Sequence, residues 1–294
     1  MQIIGIAAAL TLACSSTAKD SVSKHLSSKL TGTISTFASF LFAIPFYLVI
    51  LPILYLLGLE TFAVSPLFYR YIALRALSDT GAEWSKMESI SRADISLVAA
   101  FQSLSPAFLV IFSPLITGDS ISSGCVFGLL IIAIAGVLMA NPFQAGGKSQ
   151  LPGILFGILS AFFFSINHCF DRLAAQTSSS SLAAFAVTLM ACFFFIPFIM
   201  RHAFKHGGQP TIFTTLRSES KGLWLRGFFE VISLTAKLTA LQYLTAPSVV
   251  AIGRLSVPLS ILSGAILFKE KQLGRRLIFG SVMVLGCLMA LLSQ

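Results

Sequence analysis

Residues 33–57 read TISTFASFLFAIPFYLVILPILYLL, a stretch without a charged side chain. About 20 mostly apolar residues in an α-helix are enough to cross the hydrocarbon core of a bilayer. Lipid offers no hydrogen-bonding partners, and a helix satisfies its own backbone groups. The stretch is therefore predicted to be a transmembrane helix.

The composition extends this prediction to the whole chain. Of its 294 residues, 56% are hydrophobic and only 11% are charged, whereas soluble domains carry about 25% charged residues. The net charge of +9 comes from short basic runs between apolar stretches, which is typical of charges flanking membrane helices and not of a nucleic-acid surface. The cysteines and histidines show no metal-ligand spacing, so no metal site or cofactor is expected.

Ten stretches of transmembrane length follow one another with short connections. The third is the weakest, because six charged side chains lie between residues 75 and 92, and alone it would be interpreted as a surface helix or loop. The sequence predicts an all-α, multi-pass integral membrane protein with ten transmembrane helices. We expect them at residues 3–24, 33–57, 70–90, 95–116, 121–140, 151–173, 180–202, 222–243, 247–268 and 273–293.

The second half of the chain repeats the first at an offset of about 150 residues. The repeat supports a membrane position for helix 3, because the equivalent helix 8 is more clearly apolar. We therefore expect two five-helix units, residues 1–145 and 149–294. The matches are Gly5 with Gly153, Phe42–Phe46 with Phe194–Phe198, Arg75, Asp79 and Lys86 with Arg226, Glu230 and Lys237, Pro106 with Pro258, and Gly136–Ala140 with Gly286–Ala290.

An odd number of helices in each unit requires the two units to be inverted, since the second starts from the other side of the membrane. The units are then related by a pseudo-twofold axis in the membrane plane. The loops after helices 1, 7 and 9 are richer in lysine and arginine than their counterparts in the other unit. Such loops face the cytoplasm, so both termini are predicted to be non-cytoplasmic, in an inner or plasma cell membrane.

Charged residues form one stripe on helix 3 and another on helix 8. A charge at membrane depth costs about 2.5–3.5 kcal/mol on insertion scales, so such residues usually face a protein interior or an aqueous cavity. We expect the stripes to line a central solute path. Two alternatives stay open: a salt-bridge network without a ligand, and arginines that extend to the headgroups. At about 100° per residue, the stripes contain Arg75, Asp79, Glu83 and Lys86 on helix 3, and Arg226, Glu230 and Lys237 on helix 8.

Helices 4 and 9 each carry a polar residue four positions before a proline, Gln102 before Pro106 and Arg254 before Pro258. A proline removes a backbone hydrogen bond and can bend a membrane helix. Both prolines are therefore hinge candidates, with a static kink as the alternative. Arg254 needs a counter-charge, either a carboxylate such as Glu230 or an anionic solute. Gln102 and Arg254 are expected on the solute path as well.

Three residues are candidates for proton coupling. Glu230 comes first, because desolvation at membrane depth favours the protonated carboxyl group. Asp79 occupies the equivalent position in helix 3. An unperturbed histidine such as His168 in helix 6 titrates near neutral pH, although a hydrogen-bonded bundle histidine is the simpler interpretation.

The segments around helices 4–5 and 9–10 share a pattern of small residues, a proline, an acid and a glycine-rich helix. Together with the segment 93–98, it resembles the drug/metabolite transporter superfamily, specifically the ten-helix proteins with two EamA-type repeats. The resemblance covers nearly the whole chain and implies alternating access around a central cavity without ATP. The chain departs from the family in the charges of helix 3 and in having Asp119 where glutamate is commoner. The pattern consists of Pro106 or Pro258, Asp119 or Glu270, and Ala140 or Ala290.

The predicted function is secondary transport of a small polar or charged metabolite by alternating access, coupled to a proton or a counter-solute. The stripes and Arg254 carry a net charge of +2, which favours an amino-acid-like solute or an organic anion. One alternative is a cation or drug exporter with Asp79, Glu83 and Glu230 as counter-charges. A lipid-modifying membrane enzyme is less favoured, because no catalytic or nucleotide-binding motif is present, and the chain is not expected to be an enzyme.

Overall fold

The computed structural model of the chain describes residues 2–27, 30, 32–60, 62–92, 101, 103–139, 151–205, 214, 216–268 and 273–293. Across these ranges the regular structure is helical and contains no β-strand, so the all-α class is confirmed. The helices are α1 (Gln2–Ser27), α2 (Gly32–Leu56), α3 (Pro66–Arg92), α4 (Ser105–Phe112), α5 (Ser123–Met139), α6 (Leu151–Thr177), α7 (Ser180–Lys205), α8 (Ser220–Tyr243), α9 (Ala246–Gly253), α10 (Ser256–Phe268) and α11 (Leu273–Leu292).

The outer surface of the bundle is apolar, as a lipid-facing surface must be. Leu48, Leu115, Phe193 and Ile278 are each more than half exposed, whereas monomeric soluble proteins rarely expose large apolar patches. Within the described residues, four helices are long and apolar enough to cross a membrane. The chain is therefore a multi-pass integral membrane protein. The four spans are Gln2–Ser23, Ile34–Leu56, Leu151–Thr177 and Ser180–Arg201.

Helix α3, the charged third helix, belongs to the bundle and is not a surface helix. It packs along α6 and against α7. The two ends show that α3 and α6 are antiparallel. The Ser65 N–H donates to the Thr177 carbonyl over 3.3 Å, and the Ser89 hydroxyl donates to the Gly153 carbonyl over 2.6 Å.

The ninth predicted helix, residues 247–268, is divided into α9 and α10 at Arg254 and Leu255. Pro258 has no N–H, so the Arg254 carbonyl cannot accept the usual bond from four residues later. The Val257 N–H donates to that carbonyl instead, over 3.0 Å. The difference from the predicted continuous helix therefore has a local cause in the sequence.

The first half shows a similar break before α4. Ser103 and Leu104 form a turn, and Pro106 lies in the first turn of α4, where a missing N–H costs no helical bond. Helix α4 continues into a π-helical turn, Ser113–Thr117, which ends at Gly118 with a φ of 70°. Glycine adopts this left-handed conformation without steric cost. Residues 95–100, which the sequence assigns to helix 4, lie outside the described residues.

The main helix pairs join the first half of the chain to the second. Helix α1 packs along α8, α3 along α6, α2 against α7, and α5 against α11. Under the repeat offset, α1 corresponds to α6 and α3 to α8, so the α1–α8 and α3–α6 pairs are equivalent. The other two pairs, α2–α7 and α5–α11, each consist of two corresponding helices. The backbones of α5 and α11 touch, because a Cβ added to Gly128 would lie 2.5 Å from the Gly286 carbonyl oxygen. Small residues allow this close approach in membrane bundles.

Candidate functional site

A cavity of about 360 Å³ lies at the centre of the bundle. Its wall is formed by α1, α2, α3, α6, α8 and α9, together with the junction between α9 and α10. The wall contains serine, histidine and several apolar side chains, but charged residues dominate it. These are Lys19, Asp20, Arg75, Asp79, Glu83, Lys86, Arg226, Glu230, Lys237 and Arg254.

The cavity opens toward the end of the bundle where α1 and α3 finish and α8 begins. On α3 it extends from Arg75 to Lys86. The Lys86 side chain is 35% exposed, whereas those of Arg75 and Asp79 are 9% and 6% exposed. Asp20, near the end of α1, is also exposed. The gradient of exposure shows that one end of the cavity is open and the other is closed.

Asp79 and Asp171 hold the deep end of the cavity together. The Arg75 guanidinium lies between them, 2.8 Å from Asp79 Oδ2 and 3.1 Å from Asp171 Oδ1. Asn167 donates from Nδ2 to Asp79 Oδ1 over 2.8 Å. Lys237 forms a second ion pair with Asp171, whose side chain is fully buried. One buried carboxylate therefore neutralises cations from two different helices, α3 and α8.

Glu230 is bound from α1 and α2. The Lys19 Nζ lies 3.2 Å from Glu230 Oε2, and the Ser39 hydroxyl donates to the same oxygen over 3.0 Å. Both contacts stabilise a negatively charged carboxylate. Under the repeat, Lys19 corresponds to Asn167 and Glu230 to Asp79. The pair Lys19–Glu230 in one half thus has its counterpart in Asn167–Asp79 in the other.

The remaining charges near the mouth have looser contacts. Lys86 Nζ lies 3.7 Å from Glu83 Oε1 and 6.0 Å from the centre of the Phe164 ring, a distance at which cation–π attraction acts. Arg226 donates from Nη1 to the Ser35 carbonyl over 2.6 Å and also to the Ser35 hydroxyl. These groups border water, so each ion pair contributes less than a fully buried one.

Arg254 differs from the other cations on the wall. Its side chain has no ion pair or hydrogen bond to any residue that the structure describes. Glu230, the partner considered from the sequence, is bound by Lys19 instead. Arg254 is half-buried and borders the cavity. It therefore presents an uncompensated positive charge to whatever occupies the cavity.

The closed end of the bundle is held by an ion pair between helix α6 and the loop that follows Gly118. Arg172 Nη2 lies 2.8 Å from Asp119 Oδ1, and Arg172 also donates to the carbonyls of Leu241 and Leu244. Asp119 Oδ2 accepts the backbone N–H of Ala246 over 3.3 Å. This contact network joins the ends of α4, α6 and α8 to the start of α9.

Residues 151–292 match the model of the EamA-like transporter family. The second half of the chain is thus an EamA-like transporter domain, in agreement with the resemblance of the whole chain to the drug/metabolite transporter superfamily. A protein of Archaeoglobus fulgidus described as an uncharacterized transporter is 22% identical over 213 residues, which are 71% of this chain and 70% of that relative. One solved crystal structure covers 99% of this chain and 98% of its own, with a TM-score of 0.72 and 17% identity, which shows a shared fold.

The family and the name of the relative point to a membrane transporter of small molecules and not to an enzyme. Most of the residues predicted for the solute path meet in one cavity of the bundle. Gln102 lies outside the described residues. The part that the predicted solute-path residues play in transport stays a prediction. The predicted residues on the wall are Asp79, Glu83, Lys86, Glu230, Lys237 and Arg254, and His168 lies beside them.

The structure also gives the positions of the hinge candidates Pro106 and Pro258 and of the proton-coupling candidate His168. Pro106 and Pro258 both begin helical segments. His168 borders the cavity, and its buried Nδ1 has no hydrogen-bond partner among the described residues. Arg75 is buried between two carboxylates, so it does not extend to the headgroups. The extended-arginine alternative is therefore wrong for Arg75.

Sequence reasoning missed Lys19 as a partner of Glu230 and did not mention Asp171. Both are charged residues inside long apolar helices, the signal that identified the stripes on helices 3 and 8. Applying the same rule to helices 1 and 6 would have identified both residues.

Proposed function

We propose that this EamA-type chain is a secondary transporter that moves a small polar or charged metabolite by alternating access. The observation that carries the proposal is the charged cavity of about 360 Å³ inside the bundle. Small-molecule sites usually have volumes of about 300–1,000 Å³. Placing so many ionised groups within membrane helices is costly unless water or a solute reaches them.

The proposal includes two inverted five-helix units, residues 1–145 and 149–294. The equivalence of the α1–α8 and α3–α6 pairs supports it, as do the matching contacts Lys19–Glu230 and Asn167–Asp79. With the orientation predicted from the basic loops, both termini are non-cytoplasmic and the open end of the cavity faces the cytoplasm. The Asp119–Arg172 pair then closes the opposite side. The protein would reside in an inner or plasma cell membrane.

The acids on the wall favour an anionic or amino-acid-like solute over a cation. Asp79, Glu83 and Glu230 are the counter-charges that a cation exporter would use, and each has a cationic partner. A cationic drug would have to displace a lysine or arginine from its carboxylate. An anion can bind without breaking any of these pairs.

A competition-uptake screen tests the proposed function. Purified protein in proteoliposomes is offered labelled amino acids, organic acids, nucleotide derivatives and cationic dyes. We expect saturable uptake of a small acidic or zwitterionic solute. Uptake of cationic dyes alone would instead support the exporter, and turnover of labelled lipid would support an enzyme. Absence of uptake across the panel by correctly inserted protein would contradict the proposal.

Proton coupling is tested in the same vesicles with two glutamate variants. Glu230→Gln is expected to change both the transport rate and its dependence on pH, because Glu230 lies on the wall. Glu88→Gln is the matched control, since Glu88 pairs with Arg92 on the other side of α3. If Glu230→Gln behaves like Glu88→Gln, coupling falls to Asp79 or His168.

A further inference from the structure

The charges on the cavity wall do not balance within the described part of the chain. Six of the ten charged side chains on the wall are cations and four are acids. Asp171, behind the wall, pairs with Arg75 and Lys237 and adds a fifth acid. One positive charge remains in excess. The side chains deep in the cavity are less exposed than those at its mouth, so solvent screens their charges less.

The excess is localised at Arg254. Four of the other five cations have a carboxylate oxygen within 3.7 Å. The fifth, Arg226, donates to Ser35 near the mouth. Asp20 is exposed to water at the open end, so it needs no cationic partner. Arg254 alone, among the described cations on the wall, is left half-buried without a partner.

The backbone fixes the position of Arg254. The junction of α9 and α10 packs on α1, where the Thr17 hydroxyl donates to the Ser256 carbonyl over 3.2 Å. On the same side, a Cβ added to Gly253 would touch Leu12 at 3.3 Å. The guanidinium thus projects from a held segment, which lowers the entropic cost of binding a ligand there.

Part of the wall that leads to Arg254 is apolar. Leu12, Val249 and Val250 border the cavity on α1 and α9. An ion pair is stronger where the surroundings are poorly polarisable than it is in water. An anion that reaches this end therefore gains more from Arg254 than it would from a solvated arginine.

We infer that the transported solute carries one carboxylate group and that this group binds to Arg254. A guanidinium matches a carboxylate in a bidentate geometry that a lysine cannot provide. A single negative charge balances the excess on the wall, whereas a phosphate monoester brings almost two charges at neutral pH. The inference rests on the proposed function and adds the charge of the solute and the residue that anchors it.

Matched pairs of small molecules test this inference on the purified wild-type protein. Short-chain monocarboxylates, their primary amides, alkyl phosphates and alkylamines are compared as competitors of uptake and as ligands that raise the thermal midpoint. We expect the monocarboxylates to compete and stabilise, and the amides of the same shape to do neither. Stronger competition by alkyl phosphates would overturn the choice of a carboxylate.

Variants at two arginines assign the effect to one residue. Arg254→Gln is expected to weaken monocarboxylate binding about 10- to 100-fold, the loss of a charge-assisted hydrogen-bonded pair. Arg254→Lys keeps the positive charge but lacks the planar guanidinium, so it is expected to lose an intermediate amount of monocarboxylate affinity. This variant keeps the test valid if the glutamine variant does not fold. Arg217→Gln, an exposed arginine outside the cavity, is expected to bind like wild type.

The outcomes separate this inference from the proposed function. Uptake of amides or amines that is unaffected by Arg254→Gln would overturn the inference while transport stands. Monocarboxylate binding that is unchanged in both Arg254 variants would overturn it as well. Absence of uptake for every compound would contradict transport itself.

Discussion

Lys19 Nζ lies 3.2 Å from Glu230 Oε2 and connects α1 of the first half to α8 of the second. The equivalent positions in the other pair of helices are Asn167 and Asp79, which are joined by a hydrogen bond of 2.8 Å. The same contact point therefore uses an ion pair on one side of the cavity and an amide–carboxylate bond on the other. This difference places an extra cation on the wall near α1.

The Lys19–Glu230 pair is expected to contribute measurably to stability. The Lys19 side chain is 24% exposed, so the pair is only partly desolvated and we expect a coupling energy of about 1 kcal/mol. The free energies of unfolding of Lys19→Gln, Glu230→Gln and the double variant, measured in bicelles, give this coupling. The exposed pair Glu88–Arg92 is the control, with an expected coupling below about 0.5 kcal/mol. Equal couplings for the two pairs would contradict the prediction.

Asp171→Asn is expected to be among the most destabilising polar substitutions in the cavity. The change removes the shared counter-charge of Arg75 and Lys237, and breaking a buried pair in this way costs about 3–5 kcal/mol. Thermal unfolding in detergent checks the prediction, with Asp20→Asn as an exposed acid that should have little effect. Recovery of stability in Asp171→Asn/Lys237→Gln would support the mechanism. If the Asp171→Asn protein were as stable as the Asp20→Asn protein, the role of Asp171 as a shared counter-charge would be excluded.

The Asp119–Arg172 pair is expected to keep the closed end of the bundle ordered. Asp119 accepts the Ala246 N–H, so Asp119→Asn or Arg172→Gln should increase amide hydrogen exchange over residues 241–253, read by mass spectrometry. Glu60→Gln is the matched control, because Glu60 accepts a bond from Ser181 at the same end. Exchange that rises equally in the control would show general loosening and not loss of this contact.

The glycines between α5 and α11 are expected to resist substitution. A Cβ on Gly128 would lie 2.5 Å from the Gly286 carbonyl oxygen, and one on Gly286 would lie 2.8 Å from the Gly128 oxygen. Alanine at either position must push the two helices apart, which should lower the thermal midpoint. Gly274→Ala is the control, since nothing lies within 4 Å of its added Cβ. A neutral Gly128→Ala would mean that α5 and α11 are not in backbone contact.

The sequence predicted the charged faces of α3 and α8 because a helix has a fixed period. It did not predict which charges meet. The sequence offered Glu230 as a counter-charge for Arg254, yet Glu230 pairs with Lys19. Lys237 pairs with Asp171, which the sequence analysis did not consider. Such partners depend on how helices that are distant in sequence are aligned, and helical periodicity carries no information on that alignment.

The break between α9 and α10 was only half predictable. Pro258 indicated a lost hydrogen bond at the Arg254 carbonyl, so a hinge or a static kink was expected within helix 9. Whether the chain bends or starts a new helix depends on the packing around it, here on the contact of Thr17 with Ser256. The same reasoning explains why the short segments α4 and α9 were not predicted as separate elements.

The measurement that most directly tests the account compares two cysteine positions on α1. Ser16 borders the cavity, whereas native Cys14 is exposed on the opposite side of the helix, and two residues separate their depths by only about 3 Å. Each is made the single cysteine of a protein in nanodiscs, with Cys125, Cys169, Cys192 and Cys287 changed to alanine in both proteins and Cys14 also changed to alanine in the Ser16→Cys protein. A negatively charged, membrane-impermeant thiol reagent is then added.

A water-filled cavity within the membrane predicts that the reagent labels Ser16→Cys about 10-fold faster than Cys14 or more, because a charged reagent does not enter lipid and a thiol must be accessible to react. Equal labelling of the two positions, or faster labelling of Cys14, would contradict a wet cavity on that face of α1.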